Sequence, residues 1–418
     1  MSSSKSRAII SEDWTVVILG LALIFSALFG IIVPSPSFSW NSAADLSTKV
    51  LSPENLLAIG VQFLLVFFTA LIGGVLLRKP LNSLLVVFPF TFVLTIFALV
   101  LAGNNTVKEY NLEAVIFSLG IGLLISNLFK LPSWFKEALS TELYVKIGLV
   151  LLGTTVIFGE ILKAGTLGLI QALVVVLSVW YFAFWLCRKL KVDQEMALML
   201  SSAVSICGVS AAIATSGAIK GDPKKLSYVV SLVLITAIPM MIFMPYFAAW
   251  MGLSQEVTGA WLGGSIDTTG AVVASGSLVG EEALKISTIV KFSQNVLLGI
   301  AAFAISIYWT YSHSKSAENA EKPTLKIIWE RFPKFVLGFV FASLLFSFVI
   351  NAEQINSVKA ELKSIQSLWF ALAFTSIGLE TNFKELFVHN NKKPLYAFLI
   401  AQTFNIMLTL LIAMLLFR

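Results

Sequence analysis

Asp267 is the residue whose chemistry is hardest to explain away. It stands in Ser265-Ile266-Asp267-Thr268-Thr269-Gly270-Ala271-Val272-Val273-Ala274-Ser275, inside an otherwise apolar stretch. A carboxylate in such surroundings has a partner or a purpose. About 60 residues earlier the chain spells nearly the same word, Ser205-Ile206-Cys207-Gly208-Val209-Ser210-Ala211-Ala212-Ile213-Ala214-Thr215. Both words are small, hydroxyl-rich and glycine-containing. Gly208, Gly263, Gly264 and Gly270 permit the backbone conformations of a broken helix. Half-helix N-termini offer free N–H donors and partial positive charge, which suits an anion. Ser205, Cys207, Gly208, Ser210, Ser265, Thr268, Thr269 and Gly270 are therefore candidate ligands of a small anion. With neighbouring hydroxyls and carbonyls, Asp267 can ligate a coupling Na+ or take up a proton.

Each of these residues also has a plainer reading. Small residues let helices pack closely, and a buried carboxylate can serve a structural ion pair. Lys291, in Thr288-Ile289-Val290-Lys291-Phe292-Ser293-Gln294-Asn295, either pairs with Asp267, attracts the anion, or snorkels to headgroups. Asn295 extends the same polar face as a further candidate, with Ser293 and Gln294. Asn127, Glu160, Gln402 and Asn405 read as interhelical hydrogen-bonding groups. Glu380, in Ser376-Ile377-Gly378-Leu379-Glu380-Thr381, is the second candidate for the coupling ion. The only histidines, His313 and His389, fall in loops, which argues against a histidine metal site. No cofactor is expected beyond Na+.

The elements that must position these residues are membrane helices. The chain is 57% hydrophobic and 12% charged, with a mean hydropathy of +0.89. Soluble domains carry about a quarter charged residues, and here apolar runs recur with no polar domain between them. At about 20 apolar residues per crossing, spans are expected near 14–33, 55–77, 81–103, 112–130, 143–163, 166–187, 225–250, 286–310, 333–351, 366–387 and 394–417. The first run is long enough to span, and no small-x-small pattern closes it before Pro34, so it reads as an uncleaved helix rather than a signal peptide. Cys187 and Cys207 lie in or beside apolar segments and suggest no disulfide framework.

Charge bias decides the ambiguous segments 194–219 and 256–279. With the N-terminus cytoplasmic, behind Lys5 and Arg7, the pairs Arg78/Lys79 and Lys130/Lys136 and the cluster Arg188, Lys189, Lys191 fall inside. A full crossing by 194–219 would put Lys220, Lys224 and Lys225 outside. A segment that enters and returns keeps them inside. Treating 256–279 likewise, from the opposite side, also keeps Lys315, Lys322, Lys326, Arg331, Lys334, Lys392 and Lys393 inside. The expected fold is thus an all-α polytopic membrane protein. It has about 11 transmembrane helices plus two re-entrant or broken segments, with inverted repeats and the C-terminus outside. A weaker echo, Gly153 to Phe158 to Glu160 against Gly378 to Phe383 to Glu385, supports duplication. Residues 1–110 form N-terminal helices that are a candidate scaffold, and 111–418 form the core.

At Ile206-Cys207-Gly208-Val209-Ser210-Ala211, Gly259-Ala260-Trp261-Leu262-Gly263 and Thr288-Ile289-Val290-Lys291 the chain resembles the YeiH-type sulfate exporter family, in the bile-acid, arsenite and riboflavin transporter group. The family's name is itself a conjecture about substrate. The likeness runs, more loosely, over about 110–390. It implies a bacterial inner-membrane secondary transporter with inverted repeats, and carries over the Cys207-Gly208 tip and Lys291 as site residues. Many members carry a histidine-containing sequence after the isoleucine of the second tip. Asp267-Thr268-Thr269 replaces it here, which favours Na+. The expected function is secondary transport of sulfate, an organosulfonate or a similar anion, coupled to Na+ or H+, with a channel as the alternative. The expected partners are the anion, membrane lipid and, by analogy, a second copy in a homodimer; no nucleic acid is expected. No His-Glu-x-x-His motif, phosphate-binding loop or pair of intramembrane aspartates points to an enzyme.

Overall fold

The computed structural model describes residues 8–31, 33–109, 112–312, 326–382 and 392–418. His313, His389, Lys5, Arg7, Lys315, Lys322, Phe383 and Glu385 lie outside the described residues. Numbering helices of nine residues or more, the chain runs α1 (Glu12–Leu28), α2 (Pro53–Leu76), α3 (Leu81–Ala102), α4 (Ala114–Leu128), α5 (Thr141–Leu152), α6 (Phe158–Lys189), α7 (Gln194–Ser202) and α8 (Val209–Ile219). It continues with α9 (Pro223–Trp250), α10 (Gln255–Ser265), α11 (Thr269–Val279), α12 (Glu281–Ser312), α13 (Phe335–Leu344), α14 (Ala352–Glu380) and α15 (Lys393–Leu416).

Helix starts follow local chemistry. Ser11, Ser52, Asp193, Asp222, Ser254 and Asn351 each cap a helix through a side-chain oxygen. Pro80 immediately precedes α3, and Pro394 stands in the first turn of α15, where a missing N–H costs nothing.

Seven helices, α2, α3, α6, α9, α12, α14 and α15, are long and apolar enough to cross a membrane. The other expected spans correspond to shorter helices: α1 has 17 residues, α4 has 15, α5 has 12 and α13 has 10. Two boundaries differ from the sequence expectation. The break expected near 163–166 lies inside α6, and the chain instead breaks at Gly153–Thr155, a turn of 3-10 helix followed by extended Val156. Thr154 and Thr155 donate their hydroxyls back to Leu151 O and Leu152 O, so side chains compete with the ladder there. α14 begins 14 residues ahead of the span expected at 366. Glu353, Lys359, Glu361 and Lys363 depress hydropathy there without breaking a helix, and Glu361 accepts the N–H of Val33 (2.8 Å).

The chain divides into two compact units, Met1–Gly159 with Lys334–Asn382, and Glu160–Pro333 with Phe383–Arg418. The boundary expected at 110 falls within the first. In the first unit α4 and α14 pack where Gly122 meets Gly378, so closely that a Cβ on either would strike the other's backbone. The second unit contains both broken segments.

Candidate functional site

Both broken segments are hairpins. In the first, α7 passes into a π turn (Ala203–Cys207), reverses at Gly208 (φ +60°) and returns as α8. Its two feet touch: the Asp222 amide donates to Glu195 Oε2 (3.3 Å), and Lys225 Nζ reaches Asp193 Oδ1 (2.7 Å) and Glu195 Oε2 (3.1 Å). The second descends as α10, breaks over Ile266–Thr268 and returns as α11. It too comes back to its start, because the Ala283 amide donates to Gln255 Oε1 (3.4 Å) and Gly280 closes against the Gln255 carboxamide. One hairpin precedes α9 and the other follows it. At 28 residues, α9 is about 42 Å long, so the hairpins enter from opposite ends.

The foot of the first hairpin has a titratable fastener outside the apolar segments. Burial raises the Asp193 carboxyl, but the hydrogen bonds from Lys225 and the Met196 amide outweigh it and hold it below its ordinary 3.8. Stability from a depressed carboxyl is present above its unfolded value and lost as pH falls through the folded one. Asp193→Asn keeps the cap and removes the charge. The gap in unfolding temperature between wild type and Asp193→Asn is therefore expected at neutral pH and should close below about pH 3.8.

The two tips meet. A Cβ placed on Gly208 would lie 2.7 Å from Val233 Cγ1 and 3.0 Å from Asp267 Cβ, so only glycine fits between the tips. Gly208→Ala combines this clash with a positive φ that itself costs about 1–2 kcal/mol; thermal unfolding of the purified variant should show a loss at least that large.

Lys291 fastens both tips. It lies 10 residues into α12, about 15 Å along the helix axis. Its side chain is fully buried. Nζ donates to Ile206 O (2.9 Å), Ile266 O (2.8 Å) and Gln294 Oε1 (3.0 Å). An ammonium has three donors, and all three are spent. The first two acceptors are carbonyls at the C-terminal ends of the descending half-helices, where a cation offsets the dipole. Lys291 thus holds the tips rather than presenting a free N–H to a ligand.

Polar side chains from α6, α12 and α15 complete the frame. Gln402 Nε2 donates to Ser265 O (2.9 Å), and Asn405 Nδ2 to Val204 O (3.1 Å) and Ser265 O (3.3 Å). Gln294 Nε2 donates to Gly264 O (2.9 Å) and Gln171 Nε2 to Ala260 O (2.8 Å). Those to Val204, Gly264 and Ser265 satisfy carbonyls that broken backbone would leave bare, a condition for irregular chain at membrane depth.

One set of oxygens remains unsatisfied. Asp267 is 2% exposed, and its Oδ2 has no hydrogen-bond partner, nor do Ser265 Oγ, Gln402 Oε1, Gln171 Oε1 or Asn295 Oδ1. The Gln402 side chain lies beside the Asp267 carboxyl, and the Lys291 charge acts on it through space. Buried acceptors without donors are costly.

The remaining candidates fall as follows. Cys207 is buried at the first tip, within electrostatic reach of Lys291, and the Ser205 hydroxyl is turned back to Ser201 O (2.7 Å). Ser210 is exposed in the first turn of α8, Thr268 caps α11 and Gly270 is buried behind it. Thr269 Oγ1 accepts from Asn295 Nδ2 (3.4 Å). Glu380 belongs to the first unit, where it accepts from Thr141 Oγ1 (2.7 Å), and is not part of this cluster. Asn127 donates to Thr381 O across α4 and α14, and Glu160 pairs loosely with Lys285 (3.9 Å). Sequence reasoning missed Gln171 altogether and gave Gln402 and Asn405 no place in the site. Their one signal is an amide alone in a long apolar helix. Among the described residues no three His, Cys, Asp or Glu group to hold a metal.

Helices of membrane length with two opposed hairpins meeting at a buried polar centre define an all-helical multi-pass membrane protein. Residues 86–397 match the model of the family described as Conserved hypothetical protein 698, the YeiH-type family, and the chain belongs to it. Similar proteins include the UPF0324 membrane protein of Rhodopirellula baltica, 39% identical over 81% of this chain and 64% of that protein. A UPF0324 membrane protein of Nitratidesulfovibrio vulgaris is 38% identical over 90% of this chain and 66% of its own. That of Nitrosomonas europaea is 28% identical over 90% and 89%. The chain thus spans slightly under two thirds of the length of the first two. No solved structure matches the chain.

Proposed function

We propose that the protein is a secondary active transporter of a small anion of the sulfate or organosulfonate kind, coupled to Na+ or H+. The observation that carries this reading is the buried Asp267 carboxylate, one oxygen of which has no hydrogen-bond partner, at the meeting point of two opposed hairpins. Each helix end bears roughly half an elementary charge. Lys291 offsets the two C-terminal ends. The N-terminal ends of α8 and α11 together supply about one positive charge, which Asp267 neutralises when no substrate is bound. An anion entering at Ser210, Thr268 and Thr269 makes the centre negative unless Asp267 binds a cation or proton at the same time. Anion binding and cation binding thereby become linked.

Opposed hairpins within one chain favour alternating access at a midplane site over a channel, whose filter recurs around an oligomer axis. In this reading the short helices α1, α4, α5 and α13 also cross, giving about eleven crossings with the N-terminus cytoplasmic and the C-terminus outside, in a bacterial inner membrane. The first unit is the candidate scaffold and dimerisation element. The binding groups gathered at this centre support a transporter over an enzyme.

The test is thermal unfolding of wild type and Asp267→Asn across sulfate, methanesulfonate, phosphate, chloride and acetate, each with and without Na+ and at several pH values. Ligand binding stabilises by about 2.7 kcal/mol at a hundredfold excess over Kd. Stabilisation by one anion class that depends on Na+ or pH only in the wild type supports the reading. No shift from any anion, or identical shifts in the variant, removes Asp267 from its role.

A further inference from the structure

Away from the hairpin tips, the second unit carries a groove of about 430 Å³ between α6 and α12. Leu177, Trp180, Tyr181 and Phe184 form one wall, and Ala304 and Tyr308 the other. Ala304 lies 13 residues beyond Lys291, about 20 Å along α12, so the groove sits toward the C-terminal end of that helix, away from the tips. Tyr181 is 66% exposed and Tyr308 45%, a placement that suits rings whose apolar bodies meet tails and whose hydroxyls meet headgroups.

Charge identifies the occupant. Positions 177, 181, 184 and 188 share one face of α6, so Arg188 continues the stripe beyond the last ring. Arg188 is exposed and makes no ion pair among the described residues. Lys189 places its ammonium 5.0 Å from the centre of the Trp185 ring, where it adds to the positive field. An apolar trough with exposed aromatics and an exposed, unpaired arginine one helical turn beyond its last ring fits a molecule with a long tail and an anionic head.

The groove also bears on the first hairpin. Trp180 Nε1 donates to Ser202 Oγ (3.2 Å), at the last residue of α7. Val176 and Ala301, in the groove floor, pack with Ile206 and Cys207 of the tip.

We propose that this groove holds an acyl chain of an anionic phospholipid whose phosphate is bound by Arg188. Native mass spectrometry of the purified full chain, offered phosphatidylglycerol or phosphatidylethanolamine, tests it. Wild type should retain phosphatidylglycerol with about fivefold preference, the size expected of one basic contact. Arg188→Gln, a surface change, should lose the preference, and Ala304→Trp, which fills the trough, should exclude both lipids while eluting as folded protein. No retained lipid on wild type, or unchanged preference in Arg188→Gln, overturns the proposal. So does a wild-type dimer that Ala304→Trp dissociates, which would give the groove to a second copy.

Discussion

Lys291→Met is expected to be the most damaging single substitution outside the breaks. It removes three donors at once, stranding Ile206 O, Ile266 O and Gln294 Oε1 and leaving Asp267 without the nearby positive charge. Each newly bare buried acceptor costs about 1–3 kcal/mol, and the Asp267 carboxyl loses the cation that acts on it through space. Methionine has similar length, so lost packing contributes little. A double-mutant cycle with Asp267→Asn separates the two effects. If the charges act on each other, the double variant is less damaged than the sum of the single ones, by an interaction energy of about 0.5–3 kcal/mol. Strict additivity in thermal or denaturant unfolding would mean that Lys291 serves the carbonyls alone.

Asp267→Asn is expected to have the second large effect, on coupling rather than on folding. Asparagine keeps the shape and removes the charge that balances the N-terminal ends of α8 and α11. An anion then neutralises those ends without help, so its binding should persist without Na+ and without pH dependence. Concentrative uptake, which needs the cation gradient, should fall to the level of protein-free liposomes. Uptake that still follows the Na+ or proton gradient would move the coupling site elsewhere, with Glu380 as the next carboxylate to replace.

Much of this centre was legible because broken helices leave a compositional trace. Two matching words of small and hydroxyl-bearing residues, with a carboxylate in one, mark the tips. The cluster Lys220, Lys224 and Lys225 tells a returning segment from a crossing one, and the feet joined by Asp193, Glu195 and Lys225 agree with it. The role of Lys291 was not legible. Its partners Ile206 and Ile266 stand 85 and 25 residues away, and they are backbone carbonyls, which carry no sequence signature. Gln402 and Asn405 were visible as intramembrane amides, but their partners depend on where α15 passes the second tip. The start of α14 escaped for a different reason. Hydropathy finds lipid-like stretches, and the first turns of α14 are helical without being apolar.

Counterflow tests the central claim most directly. Purified protein is reconstituted in liposomes preloaded with unlabelled sulfate or methanesulfonate, and entry of the radiolabelled anion is followed. Transport by two opposed hairpins around one buried centre requires saturable entry of one of these anions, accelerated by preloading. Entry linear in concentration and indifferent to preloading would contradict alternating access. No entry of either anion above protein-free liposomes would contradict the proposed substrate class.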